Sequence, residues 1–119
     1  MHELSIAQSI LEIVEQYVIP ADRETVRQVK IRVGEMAGVV PDSLEFCFSA
    51  IIADTPLRSA SLHIQEIPFT ISCVTCGDLA TNPSGFVVCP KCGGADTKII
   101  SGTELQVIEI ELADSAEVL

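Results

Sequence analysis

The order of patterns along this chain predicts an α+β fold, with two helices on a three-stranded, mainly antiparallel sheet and an inserted zinc-binding subdomain built on four cysteines. Three observations carry that prediction. Two stretches repeat apolar residues at three- and four-residue spacing, and three others lean on alternation with period two. Four of the five cysteines fall between the second and third of those strands. The organisation expected is one domain of residues 1–69 plus 101–119, with 70–100 as the inserted metal-binding subdomain.

The first helix is predicted over 4–18. Leu4, Ala7, Ile10, Leu11, Val14, Tyr17 and Val18 recur at helical spacing, while Glu12, Glu15 and Gln16 take the opposite side as a solvated face. Ser5 followed by Gln8 has the form of a capping box, which places the helix start just after the first few residues, and Pro20 stops it. A strand follows over 25–33: Val29, Ile31 and Val33 point one way, Gln28, Lys30 and Arg32 the other. Gly34 to Gly38 reads as a turn. Pro41 then suits the first turn of a second helix, with Asp42 complementing its dipole.

Leu44, Cys47, Phe48, Ile51 and Ile52 form the buried stripe of that helix, and Cys47 is read there as a small apolar residue. Leu62 and Ile64 alternate with Ser61, His63 and Gln65 in a second strand that ends near Pro68; His63 is read as solvated. The stretch 70–100 is turn-rich, with Gly77, Gly85, Gly93 and Gly94, and suggests knuckles and loops that need metal to hold together. A third strand over 103–112 slips phase from Leu105 and Val107 to Ile108, Ile110 and Leu112, the mark of a bulge or of a strand covered on both faces.

Composition bounds the function. Within 119 residues, 48% are apolar but only 4% aromatic, so the core is aliphatic and small, and a metal staple matters. The formal charge is −10, and four thiolates around one divalent ion take it to about −12. An acidic surface argues against nucleic acid, whose binding rests on cationic neutralisation of phosphate, and suits docking to a basic patch on a protein partner. The start Met-His-Glu has no basic segment and no apolar run for a signal or a membrane span, so a cytoplasmic location and no membrane insertion are expected. In that reducing compartment clustered cysteines point to metal before disulfide.

Cys73-Val-Thr-Cys76-Gly and Cys89-Pro-Lys-Cys92-Gly are two knuckles of the kind that close a tetrahedral sulfur shell. A closed shell has no position for an activated water, so the site is structural and not catalytic. Zinc is the expected ion, with iron its competitor. At the other end, a free amine at Met1, backbone nitrogens and the His2 imidazole can converge on one ion. Deprotonated amides favour square-planar Ni(II) or Cu(II), and the Glu3 carboxylate offsets the repulsion between a cation and a helix N-terminus. On spacing alone, a histidine at position 2 reads as an ordinary solvated residue. No nucleophile–base pair and no phosphate-binding glycine loop is found.

Met1-His2-Glu3-Leu4-Ser5 opening into Ala7-Gln8-Ser9-Ile10, then Val33-Gly34-Glu35-Met36-Ala37-Gly38-Val39, the two knuckles, and Ser101-Gly102-Thr103-Glu104-Leu105 together resemble the HypA/HybF nickel metallochaperones of [NiFe]-hydrogenase maturation. The resemblance covers essentially the whole chain. It implies Ni(II) as transient cargo on His2, with Met1 and Glu3 contributing, and structural Zn(II) on Cys73, Cys76, Cys89 and Cys92. It implies a HypB-type GTPase and the [NiFe]-hydrogenase large subunit as partners, and some relatives also serve urease. A homodimer is admitted, no bond is made or broken, and the chain is expected not to be an enzyme. The alternatives are a zinc-ribbon module for protein or nucleic-acid binding, which should be basic, and a rubredoxin-like electron carrier, which should be coloured.

Overall fold

In the computed structural model, which describes residues 3–81 and 87–113, the first apolar stripe folds as α1 (Glu3–Tyr17) and buries Ile6, Ala7, Ile10 and Val14. The helix begins before the expected capping box. Ser5 lies inside the first turns, its carbonyl accepting from Ser9 Oγ at 3.1 Å, and Glu3 supplies the acidic first turn that the dipole favours. No basic residue sits in the last turn of α1, but the 3₁₀ segment Pro20–Thr25 returns one to it. Arg23 donates to Val18 O at 3.3 Å and to Glu15 O at 3.1 Å, capping carbonyls that the helix leaves open. Arg23→Ala is expected to cost about 1 kcal/mol, read as a lowered urea midpoint with unchanged slope.

Strand β1 (Val26–Gly34) is the centre of the main sheet. Helix α2 (Pro41–Ile52) carries the chain across to β2 (Ser61–Ile67), so β1 and β2 pair parallel. The last strand, β6 (Leu105–Leu112), pairs antiparallel on the other side of β1, giving the order β2-β1-β6. Of the four pairings in the described chain, the crossover pair alone is parallel. The predicted phase slip in β6 is a register shift: Lys30 faces Glu109 and Ile31 faces Val107, leaving Ile108 unpaired as a bulge. That bulge lets Val107 and Ile110 both reach the core.

One face of the sheet carries both helices. Val29, Ile31, Val33 and Leu62 pack with Ile6, Ile10 and Val14 of α1 and Leu44, Phe48 and Ile52 of α2, while Cys47 and Ile51 are partly buried against this cluster. The other face is polar, with Lys30 and Glu109 paired across strands at 2.9 Å.

Between the second and last strands of that sheet, the chain forms β3 (Thr70–Cys73), β4 (Leu79–Thr81) and β5 (Thr97–Ser101). These make a second, wholly antiparallel sheet in the order β4-β3-β5. The insert is therefore a small sheet as well as two knuckles. Its own core is only Phe69, Ile71 and Ala80. The molecule is elongated, with extents of 59 × 29 × 20 Å, and the Cα radius of gyration is 18.1 Å, against about 13–14 Å for a compact domain of this length.

The segment after β1 laces the junction. Gly34 N donates to Glu104 O at 2.7 Å, Glu35 N to Ile67 O at 2.8 Å and Met36 N to Gly102 O at 2.8 Å. Two carboxylates finish it: Glu35 Oε1 accepts from Phe69 N, and Glu104 Oε1 from Gly102 N. Backbone approaches are so close that a Cβ on Gly34 would lie 2.1 Å from Gly102 C, and one on Gly102 2.4 Å from Phe69 Cα. The turn expected at Gly34–Gly38 is thus also the clasp on the insert.

Candidate metal centre

Each knuckle is built by the same backbone bonds. Gly77 N donates to Cys73 O and Gly93 N to Cys89 O, both at 2.8 Å; Cys73 N donates to Asp78 O at 3.0 Å and Cys89 N to Gly94 O at 2.9 Å. Both turns close through a left-handed glycine, Gly77 at φ 76° and Gly93 at φ 74°, a conformation that costs glycine nothing. The two Cys-x2-Cys-Gly units are local copies of one another, so their sulfurs arrive as two matched pairs.

The four sulfurs lie within 4.8 Å of one another, with Cys73 Sγ and Cys92 Sγ 3.6 Å apart and Cys76 Sγ and Cys89 Sγ 3.8 Å apart. Four ligands at a zinc–sulfur length of about 2.3 Å on tetrahedron corners stand about 3.8 Å apart, so the cluster fits such an ion. The separations far exceed the roughly 2.05 Å of a disulfide. Cys76 N and Gly94 N point at Cys73 Sγ and Cys92 Sγ at 3.5 and 3.4 Å, as amides do around thiolates. Cys73 and Cys89 are buried, Cys76 and Cys92 exposed. Among the described residues this is the one cluster of three or more such side chains able to hold a metal.

Four thiols so close cannot all ionise without a cation. The Cys76 amide holds the Cys73 thiol down to about 7. Cys92 is pushed up to about 12: the Gly94 amide favours its thiolate, but Cys73, Cys89, burial and Cys76 together outweigh that bond. Cys76 is also raised, since its bond from the Asp78 amide is outweighed by Cys73, burial and Cys89. Near neutral pH, Cys76 and Cys92 are protonated and must lose those protons to a metal. Zinc loading of the metal-free protein is therefore expected to release at least these two protons per ion, with the Cys73 proton added below pH 7. Affinity should fall as pH falls. Calorimetric titration in two buffers of different ionisation enthalpy measures the count.

Of the residues expected at the other site, Glu3 stands half-buried in the first turn of α1. Met1 and His2 lie outside the described residues. Ser5 and Ile6 line a groove together with Leu105, so the start of α1 lies at the junction end of the main sheet. Cys47 is packed against the core and joins no cluster, and His63 is exposed on β2. Nothing in the local pattern marks the clasp carboxylates Glu35 and Glu104 as structural; the glycine-bearing segments around them are the available signal.

Comparison with known proteins agrees with this picture. Residues 1–112 match a family described as "HypA: Hydrogenase/urease nickel incorporation, metallochaperone". A hydrogenase maturation factor HypA of Desulfatibacillum aliphaticivorans is 43% identical over 119 residues, covering 98% of this chain and 91% of that one. The protein of the same name from Streptomyces avermitilis is 41% identical over 116 residues, covering 96% and 88%. Among solved structures, the nickel metallochaperone HypA of Helicobacter pylori superimposes with a TM-score of 0.64 at 21% identity, covering 95% of this chain and 98% of that one; it bears on the fold alone.

Proposed function

The chain belongs to the HypA family of hydrogenase/urease nickel-incorporation metallochaperones, and from that premise we propose that it carries Ni(II) on its first residues and delivers it to [NiFe]-hydrogenase. The ligands in this reading are the His2 imidazole and backbone nitrogen, with the Met1 amine and the Glu3 carboxylate. The observation that supports it most is Glu3 at the head of α1, where a carboxylate sits beside the chain start and offsets the helix dipole's repulsion of a cation. A site on the chain start has few side chains to reorganise and can release its ion. Release suits a carrier, which transfers an ion without making or breaking a bond in a substrate.

The four-cysteine cluster takes zinc in this reading. A bound ion supplies charge neutralisation and a fixed tetrahedral node, and Cys73, Cys76, Cys89 and Cys92 hold it without an open position. The two units, 1–69 plus 101–119 and 70–100, then act as carrier domain and zinc insert, joined at the Gly34–Gly102 clasp. A HypB-type GTPase and the hydrogenase large subunit are the proposed partners, in the cytoplasm. No described helix is long and apolar enough to cross a membrane. Net charge of −10 weighs against the nucleic-acid reading of the insert.

His2→Ala is the test. Nickel titrated calorimetrically into the zinc-loaded variant is expected to show no specific binding, while zinc content stays at one ion per chain. Normal nickel binding by that variant would overturn the site.

A further inference from the structure

Helix α1 and strand β6 do not close on each other. A groove of about 230 Å³ runs between them, floored by Ile31 and walled by Ile10 and Ile13 on one side and Leu105 and Val107 on the other. It continues beyond Ile13 into a wider opening of about 550 Å³ beside Tyr17 and Ile110. Strand β6 is also the outer strand, with a neighbour on one side only among the described residues. Glu104 O accepts from Gly34 N and Ala113 N donates to Thr25 O, so both ends of β6 bond toward β1. With the bulge at Ile108, alternation then turns the backbone groups of Leu105, Val107, Ile110 and Leu112 outward. Leu105, Ile108 and Leu112 are large apolar side chains left exposed along this edge.

An apolar groove beside an open strand edge accepts an extended segment as an added strand. Charge decides whose segment. Glu111 stands exposed on β6 beside Glu109, which already pairs with Lys30 at 2.9 Å, and the chain carries −10. A second copy would bring the same acids and the same net charge against this edge, as would the chain's own residues beyond Ala113, which include Asp114 and Glu117. We propose that the α1–β6 groove is a docking site for an extended segment of a partner protein in which lysine or arginine alternates with apolar residues. Its apolar side chains cover Ile13, Leu105 and Val107, its cations meet Glu111 and share Glu109 with Lys30, and its backbone pairs with the outer edge of β6.

The groove begins at Ser5 and Ile6, within about one helical turn of Glu3. A segment docked there would lie beside the proposed nickel ligands; that placement rests on the nickel reading, and the docking itself does not. The probe is a short peptide of alternating lysine and valine spanning the length of β6, titrated into ¹⁵N-labelled, zinc-loaded protein without nickel. Expected are saturable shifts confined to Leu105–Leu112 and the facing residues of α1, with no such response to the matching glutamate–valine peptide. Ser9→Arg retains helix propensity and puts a cation at the groove mouth; it should weaken lysine-peptide binding about tenfold or more.

Shifts scattered over the acidic surface, unchanged binding by Ser9→Arg, or sedimentation as a dimer with β6 already covered would each overturn the proposal. His2→Ala separates the two readings. Peptide binding should survive in that variant; if nickel binds normally to the wild-type chain but the peptide does not dock, only the docking site falls.

Discussion

Cys89→Ser is expected to release zinc and unfold the insert while the helix-and-sheet domain stays folded. The insert buries only Phe69, Ile71 and Ala80 in a cluster of its own. Burial of a large apolar side chain contributes about 1.5–3 kcal/mol, whereas a zinc ion held by cysteines in a small domain contributes about 10–16 kcal/mol near neutral pH. A zinc ion bound there would therefore do more than the apolar core to hold β3, β4 and β5 together. Cys89 is buried, and its backbone anchors the second knuckle through Gly93 and Gly94. Hydrogen exchange should show protection lost across 70–81 and 97–101 and kept in β1, whose core of Val29, Ile31 and Val33 is independent of the metal. Retained protection in β3–β5 of a metal-free variant would contradict this assignment.

Gly34→Ala should cost about 3 kcal/mol or more, out of proportion to one methyl group. Its Cβ would stand 2.1 Å from Gly102 C, 2.2 Å from Gly102 O and 2.4 Å from Thr103 N, all backbone atoms that cannot swing aside. Relief requires β1 to separate from the strand leaving the insert, which breaks the Gly34–Glu104 and Met36–Gly102 bonds. Gly38 is the control. It has φ 76° but nothing within 4 Å of its Cβ, so Gly38→Ala should cost only about 1–2 kcal/mol of backbone strain. Urea unfolding of the two variants makes the comparison, and equal losses would remove the clasp from the account.

What the sequence reveals follows the range of the interaction involved. The alternation of Val29, Ile31 and Val33 and the bulge at Ile108 are short-range patterns that appear where expected, and the helical stripes do so in part: Leu4 and Tyr17, expected in the first stripe, are exposed, while Ile6, left out of it, is buried. The cysteine knuckles are legible for the same reason: local turn geometry sets where both sulfurs point. The insert's sheet was not legible, because β4 is only Leu79–Thr81 and β5 leaves Ile99 and Ile100 both exposed, without alternation. The clasp and the α1–β6 groove arise from residues some thirty to a hundred positions apart, which no local pattern encodes. At Ser5 a local signal misled: a capping-box form lies inside a helix that starts at Glu3. His2 differs again, since only resemblance to the family distinguishes it from a solvated terminal histidine.

In the proposed function one chain holds two separate metals, zinc in a closed cysteine shell and nickel on its first residues. The most direct test is a protein made with a long, protease-removable extension before Met1, titrated with nickel before and after cleavage. One zinc per chain and no specific nickel binding are predicted for the extended form, with one nickel bound once the Met1 amine is freed. Equal nickel binding before and after cleavage, or nickel that displaces the zinc, would contradict the account.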